Sequence, residues 1–200
     1  MAYHVHTITS LDQLGECDLF HIDHYQWTKE ISPKAFGRMG LLKNYGLVIT
    51  MTSMEQNPLR IYTEDDDRVY DDSGLEAFFN FSVDQEDRKY LNFEMNANGA
   101  LLSAFGTAKD REFLRNITEL RARCEASIHE SSWSVILKIP MELICTMFDR
   151  KPLRQGDSFT CNFYKICETP GLEHYASFSP IISEKPNFHL PEFFETAIIY

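Results

Sequence analysis

No stretch of the sequence approaches 18 consecutive apolar residues, so no segment is expected to cross a membrane as a helix. Positive charge is scarce too: 19 Lys and Arg stand against 30 Asp and Glu, and the formal net charge is −11. That charge disfavours nucleic acid and anionic membrane surfaces as partners. The opening, MAYHVHTITSLDQL, has neither the basic nor the apolar segment of a secretory signal, so we expect a cytoplasmic protein.

Cysteine motifs are also missing. The chain has five Cys, an odd number, and none lies in a C-x-x-C motif or at the spacing of a zinc site. We therefore interpret them as buried thiols of a protein from a reducing compartment. The sequence likewise has no phosphate-binding loop, no dinucleotide fingerprint and no Ser/His/Asp set at a recognisable spacing.

Repeats, low-complexity tracts and linkers are absent, which predicts a single domain over residues 1–200. Residues 1–40 lack a regular pattern and are interpreted as an irregular N-terminal extension packed on that domain, with ISPKAFGRMG as a loop. Elsewhere period-two alternation and frequent turns predict an all-β, jelly-roll-like antiparallel β-sandwich with one or two short helices. The predicted elements are strands at 45–51, 59–64, 74–82, 89–96, 100–105, 120–129, 131–140 and 158–167, a helix at 141–148, a helix or loop at 109–118, and an extended tail.

The stretch YLNFEMNANG has an unusual polar face. Its apolar side chains alternate with Asn92, Glu94 and Asn96, although Asn is depleted in strands. The preceding predicted strand carries Glu76 and Asn80, which share this face if the two strands form a hairpin. The question is what such a cluster of amides and carboxylates binds.

Amides donate and accept hydrogen bonds and carboxylates accept them, so the cluster suits a ligand that is dense in hydroxyls, such as a sugar. A hydrogen bond to a charged acceptor contributes roughly 1.5–3 kcal/mol. A buried polar network that only stabilises the sandwich fits the same pattern. A sugar would also need an aromatic platform for its apolar face, for which the candidates are Tyr70, Tyr90, Phe178, Trp27 and Trp133.

Six segments in order, VYDDSGLEAFF, YLNFEMNANGALL, WSVILKIP, CNFYKI, HYASFSPI and PNFHLPEFF, resemble family 9 carbohydrate-binding modules. The resemblance covers roughly residues 45–194 and is to the variant found as stand-alone bacterial proteins, which is similar to DOMON-type β-sandwiches. It implies a non-catalytic module that holds the end of a mono- or oligosaccharide between two rings, here Tyr70 and Phe178. The implied polar contacts are Glu76, Asn92, Glu94, Asn96, Asn162 and Lys165. His174 and Tyr175 lie beside the second ring.

The chain departs from the family pattern at three points. Phe178 stands where Trp is usual, DSGLE replaces a DSCVE-like run, and ICE replaces a Cys-Gly-Asp-like turn. Because Phe is a smaller platform than Trp, a weaker or altered sugar preference is expected. The family often carries structural calcium, and the acidic turn is either a source of ligands for it or simply solvated surface. The carboxylates in question are Asp65, Asp66, Asp67, Asp71 and Asp72.

Two further classes of function are open. Glu76 and Glu94 are candidates for the carboxylate pair of a glycoside hydrolase. The other class is a structural or regulatory protein without a sugar ligand. Haem would need an axial pair, but Met95 falls on the core side of its strand and His174 in a loop. His4 and His6 are spaced as in a metal chelate, but we interpret the pair as a surface feature near the terminus.

Overall fold

The computed structural model describes residues 2–27, 33–84 and 86–200. The strands in these ranges form one curled sheet, so the predicted all-β fold is confirmed. The strands are β1 (Tyr3–Ile8), β2 (Leu19–Ile22), β3 (Lys34–Leu42), β4 (Gly46–Met54), β5 (Gly74–Asn80), β6 (Tyr90–Asn96), β7 (Leu101–Gly106), β8 (Arg111–Phe113), β9 (Arg123–Ile128), β10 (Trp133–Pro140), β11 (Ser158–Cys167), β12 (His174–Ser177) and β13 (Glu195–Ile199).

Helical segments are short. The helix α1 (Leu114–Ile117) follows β8, and α2 (Met141–Phe148) begins directly after Pro140, as predicted. Single 3₁₀ segments lie at Leu11–Glu16 and Pro191–Phe193. No helix in the described ranges is long and apolar enough to cross a membrane.

The sheet curls so that its two halves pack face to face. The strand order is β8-β7-β6-β5-β11-β13-β1-β3-β4-β10-β9, with β12 added to β11 and β2 added to β3. Strand β1 joins the halves through parallel pairings with β13 and with β3, whereas the other pairings among the described strands are antiparallel. The sequence predicted a purely antiparallel sandwich, and the structure differs from that prediction in the two parallel pairings of β1.

The prediction of an irregular N-terminal extension over residues 1–40 is wrong. The segment contributes β1, β2 and most of β3, and the predicted loop ISPKAFGRMG lies largely within β3. Positions 31–32 of that loop fall outside the described residues. The signal was present in YHVHTI, where Tyr3 and Val5 are buried and His4 between them is exposed. A six-residue strand offers too few repeats for that alternation to be convincing on its own.

The predicted strand at 59–64 does not form either. Pro58 precedes it, and the backbone N–H groups of Ile61 and Tyr62 donate to the Asp72 carboxylate at 2.8 and 3.0 Å. A side chain therefore satisfies the donors that a strand partner would have used. The segment is an ordered loop that runs toward β5.

The core lies between the inner faces of the two halves. Leu91, Phe93 and Met95 point into it, as their alternation predicted. Phe20 of β2 stacks on Phe163 of β11 across the core with ring centroids 3.9 Å apart. This stack holds one half of the sheet on the other. All five cysteines are free thiols: Cys17, Cys161 and Cys167 are buried, and Cys124 and Cys145 are half-buried.

The outer face of β5, β6 and β11 is also covered. Phe78, Tyr90 and Tyr164 lie on this face and form a second apolar cluster with Phe188 from the C-terminal segment. The ring of Tyr164 stacks on that of Phe188 with centroids 4.1 Å apart. Strand β6 is consequently buried on both sides, which explains why its polar residues do not behave as solvated surface.

Gly37 of β3 allows the stack of Phe20 to form. A Cβ at this position would lie 2.5 Å from Cζ of Phe20 and would also collide with the Thr50 carbonyl oxygen. We predict that Gly37→Ala lowers the free energy of unfolding by about 1–3 kcal/mol, because overpacking displaces the ring. Urea denaturation measures this. Gly15→Ala is the matched control, since a Cβ there meets no atom within 4 Å, and equal stabilities of the two variants would contradict the prediction.

Candidate functional site

A pocket of about 570 Å³ opens on the outer face of β5, β6 and β7, beside the aromatic cluster. Loop residues before β5, strands β8 and β12 and the C-terminal segment close its sides. The residues that line it are Tyr70, Glu76, Asn92, Glu94, Leu102, Ala104, Ala108, Lys109, Arg111, Phe113, Ile166, Glu168, Tyr175, Pro186, Asn187, Phe188 and His189. Five of the predicted site residues are in this set: Tyr70, Glu76, Asn92, Glu94 and Tyr175.

The floor of the pocket carries hydrogen-bond acceptors from two neighbouring strands. Glu76 of β5 and Glu94 of β6 are directly opposite each other in the antiparallel register, which places their Cβ atoms about 4.5–5.5 Å apart. Asn92 donates from Nδ2 to Oε1 of Glu94 at 3.0 Å. The side-chain oxygen of Asn92 is buried and has no hydrogen-bond partner among the described residues.

Burial raises the pKa of both carboxyls. The pKa of Glu94 rises to about 7 because the group is desolvated, with Arg111 and the Asn92 amide opposing the shift. The pKa of Glu76 is raised well above its ordinary value by burial and next by the facing Glu94. Two carboxyls this close resist ionising together, since that would place two like charges in a low dielectric.

Aromatic rings form two sides of the pocket. Tyr70 lies in the loop before β5, and its carbonyl oxygen accepts a hydrogen bond from the Glu168 backbone at 3.0 Å, which fixes the loop to the end of β11. Tyr175 of β12 packs edge-on against Trp27 and Phe188, at centroid distances of 6.3 and 6.2 Å. Trp27 thus supports the wall from behind and does not line the pocket.

A basic corner was not predicted from the sequence. Arg111 of β8 donates to the hydroxyl of Tyr90 at 2.9 Å and contacts His189. The same hydroxyl lies 2.9 Å from Nδ1 of His189. Arg111 lies in the segment predicted as a helix or loop, and His189 lies in the predicted extended tail. The sequence had assigned no function to either segment. The only signal was His189 within the motif PNFHLPEFF.

Phe178 does not lie in the pocket, so the structure does not bring it together with Tyr70. Its ring packs in the core between the halves, 5.7 Å from Phe20 and 5.8 Å from Phe163. Tyr175 and Phe178 are three residues apart, and side chains alternate on an extended chain, so the two point to opposite faces. Tyr175 is the ring that reaches the pocket from this segment.

Asn96 positions the Tyr70 loop instead of facing a ligand. Its Nδ2 donates to the Tyr62 carbonyl oxygen and to the Asp72 carboxylate, both at 2.8 Å. Its side-chain oxygen accepts from the backbone N–H groups of Asn98 and Ala100. These bonds occupy the amide fully and tie the loop to the end of β6.

Asn162 has a similar structural role. Its Nδ2 donates to the carbonyl oxygens of Ser179 and Phe193 at 3.1 and 3.3 Å, and its oxygen accepts from the Ser179 N–H at 2.9 Å. The side chain thereby fastens the covering C-terminal segment to β11. It does not line the pocket.

Lys165 and His174 belong to a buried cluster on the other side of β11. Nζ of Lys165 donates to Ser73 Oγ at 2.7 Å and to the Ile166 carbonyl at 3.2 Å, and lies 2.7 Å from Nε2 of His174. Its charge is compensated by Glu55, whose carboxylate is 3.6 Å away. Trp133 donates to the same carboxylate at 3.1 Å.

Burial sets the ionisation of this cluster. It lowers the pKa of Lys165 to about 8, with Glu55 acting in the opposite direction. It also lowers the pKa of His174 to about 4, helped by the nearby ammonium. A neutral His174 can accept a hydrogen bond from Lys165 at Nε2 while Nδ1, 2.9 Å from the Leu172 carbonyl oxygen, donates there.

The acidic turn is engaged in the fold. Asp65 and Asp66 accept from the backbone N–H groups of Leu101 and Ser103 at 3.0 and 3.1 Å, and Asp72 accepts from the loop before β5. Within the described ranges, no three or more His, Cys, Asp or Glu side chains are grouped to hold a metal ion. The acidic turn therefore does not fit the calcium site that the resemblance implied.

We predict that Lys165→Met lowers the free energy of unfolding by about 3–5 kcal/mol, because Glu55 is left without its cation. Urea denaturation gives the value. The double variant Glu55→Gln/Lys165→Met regains part of the loss. Unchanged stability of the single variant would show that the cluster does not stabilise the fold.

We predict that Glu94→Gln changes how stability depends on pH. A carboxyl whose pKa is near 7 in the folded state and 4.5 otherwise stabilises the fold below pH 4.5, and this contribution disappears as pH rises through 7. The variant should match the wild type at pH 4.5 and exceed it by roughly 1–3 kcal/mol at pH 8. Urea denaturation across this range, with the exposed Glu119→Gln as control, makes the comparison, and parallel curves for Glu94→Gln and wild type would refute it.

Comparison with known proteins gives a consistent result. A protein-family model described as carbohydrate-binding family 9 matches residues 17–199. A candidate carbohydrate-binding protein from Bacteroides uniformis superposes with a TM-score of 0.81 at 21% identity, over 100% of this chain and 99% of that one. A search of curated proteins found no significant match.

Two further solved structures have the same fold. Both are family 9 modules from Caldicellulosiruptor kristjanssonii, one in complex with glucose and one with cellotriose. They are 11% identical to this chain, with TM-scores of 0.72 and 0.71, and the superpositions cover 100% of this chain and 96% and 93% of theirs. Since the family model spans nearly the whole sequence and the sheet has the fold of these modules, the chain belongs to carbohydrate-binding family 9.

Proposed function

We propose that this protein binds a mono- or oligosaccharide in the pocket on β5 and β6 and does not transform it. The observation that carries the proposal is the combination, in one pocket, of an acceptor floor with aromatic sides. Glu76, Glu94 and the side-chain oxygen of Asn92 accept hydrogen bonds from hydroxyls, while Tyr70 and Tyr175 offer surface for the apolar face of a sugar ring.

Family membership supports this proposal. Relatives with the same fold have been solved with glucose and with cellotriose, and a pocket of about 570 Å³ is in the size range of small-molecule sites. The basic corner of Arg111 and His189 adds donors, so the pocket as a whole satisfies both the donors and the acceptors of a hydroxyl group.

Glycoside hydrolysis is the second candidate function. The observation in its favour is that Glu94 has a pKa of about 7 beside a second carboxyl, as a general acid requires. The two carboxyls lie side by side on one pocket floor, however, directly opposed on paired strands, whereas a glycosidase pair flanks the scissile bond. We expect no release of nitrophenol from chromogenic glycosides, and release that is abolished by Glu94→Gln would establish the hydrolase.

We predict saturable binding when the purified protein is titrated with mono- and disaccharides by calorimetry, with dissociation constants between micromolar and millimolar. This corresponds to roughly −8 to −4 kcal/mol. Tyr70→Ala should weaken binding about tenfold or more, because the sugar loses a stacking surface.

Tyr200→Ala is the matched control, since Tyr200 is exposed and lies outside the pocket. Circular dichroism confirms that both variants are folded. Heat changes absent across the panel, or equal affinities of Tyr70→Ala and Tyr200→Ala, would overturn the assignment of this pocket.

A further inference from the structure

The acceptors on the pocket floor lack donors. Glu76 is 3% exposed and Glu94 is 6% exposed, and both line the pocket. Glu76 makes no hydrogen bond to any residue in the described ranges, and Glu94 accepts only from Asn92. Asn92 is 1% exposed and its oxygen is unpaired within the same ranges. Buried polar atoms without partners are rare in folded proteins and call for an external partner.

No cation of the described residues forms an ion pair with Glu76 or Glu94, although Arg111 is near enough to oppose the rise in the pKa of both. The guanidinium of Arg111 is bound to Tyr90 and His189, and forms no ion pair with a carboxylate of the described residues. Lys109 is exposed on the loop before β8. Lys165 lies on the opposite face of β11, in the cluster with Ser73 and His174.

Carboxyls outnumber cations in the lining of the pocket, at three against the two of Lys109 and Arg111. A third carboxyl, Glu168 at the end of β11, raises the pKa of both members of the pair. The remaining titratable groups that line it are His189, held by Arg111, and the phenols of Tyr70 and Tyr175. A ligand that delivers positive charge to the pair would therefore meet acceptors on both strands without having to displace a cation.

A hydroxyl donates one hydrogen bond, whereas an ammonium donates three and carries a full charge. Charge-assisted hydrogen bonds are roughly twice as strong as neutral ones. Three acceptors converge here: Glu76, Glu94 and the oxygen of Asn92. Their number matches the donors of one ammonium group.

We propose that the pocket selects saccharides that carry a free amino group, whose ammonium lies between Glu76 and Glu94 and donates to Asn92. This inference rests on the proposed function, since it names the class of sugar for the same pocket. A divalent cation is a poorer occupant, because calcium takes six to eight oxygens and two carboxylates with one amide oxygen supply at most five.

Calorimetry with three closely related sugars tests the proposal. At pH 7 we expect glucosamine to bind at least tenfold more tightly than glucose and than N-acetylglucosamine, in which the nitrogen is neutral. Glucosamine should also release a proton from the carboxyl pair, measured by repeating the titration in two buffers with different ionisation enthalpies. The advantage should shrink at pH 5, where the pair is protonated.

Variants isolate the role of charge. In Glu76→Gln the ratio of the glucose to the glucosamine dissociation constant should fall toward one, whatever the change in each affinity. The exposed Glu119→Gln should keep the wild-type ratio. Thermal denaturation verifies that each variant is folded.

Each other result contradicts the proposal. Glucose bound as tightly as glucosamine by the wild type leaves carbohydrate binding intact and overturns the amino-group selectivity. N-acetylglucosamine bound as tightly as glucosamine shows that the shape of the substituent, and not its charge, is recognised. Calcium chloride that binds in place of glucosamine identifies a metal site. Absence of binding by all three sugars overturns the proposed function itself.

Discussion

The pairing of β5 with β6 is the constraint on which the pocket depends. The antiparallel register sets Glu76 against Glu94, and the burial of both faces of β6 removes the water that would otherwise separate their charges. Neither condition alone would be unusual. Together they give a desolvated pair of acids whose pKa values are both raised.

The asparagines around this pair have two different roles, although they are the same type of residue. Asn92 has an unpaired oxygen on the pocket floor among the described residues, whereas the Asn162 amide is bonded to backbone and the Asn96 amide to backbone and to the Asp72 carboxylate. The bonded amides hold the two segments that shape the pocket, the loop of Tyr70 and the C-terminal segment of His189. A rigid outer frame of hydrogen bonds thus leaves a small inner group of acceptors available.

The sequence predicted the elements with strong local signals and missed those that depend on distant partners. Alternation placed the strands from β4 to β7 and the inward side chains of β6, and Pro140 marked the start of α2. The segment 59–64 alternates as well, but Asp72, farther along the chain, takes its backbone donors. The parallel pairings of β1 depend on how the sheet closes, which local patterns do not encode.

Prediction of the site succeeded for the acceptors at the centre of one strand face, and failed for residues that bond to neighbouring segments or point to the other face. Glu76, Asn92 and Glu94 follow from alternation alone. Lys165 is an odd number of positions from Asn162, and Phe178 from Tyr175, so each pair has to divide between the faces of the sheet. The resemblance to a family supplied all four residues but not the side on which each lies.

The parallel contact between β1 and β13 has a consequence for how the protein is made. Strand β13 connects β11 with β1, and the backbone N–H of Tyr200 donates to the Val5 carbonyl oxygen at 2.8 Å. Strand β1 therefore gains this neighbour only after residues 195–199 have been synthesised, and the curled sheet closes no earlier. Until then the edges of β1 and β11 lack their shared neighbour, and exposed strand edges pair readily with other chains. Synthesis of this protein accordingly includes an interval of aggregation risk that a sheet built from strands close together in the sequence would avoid.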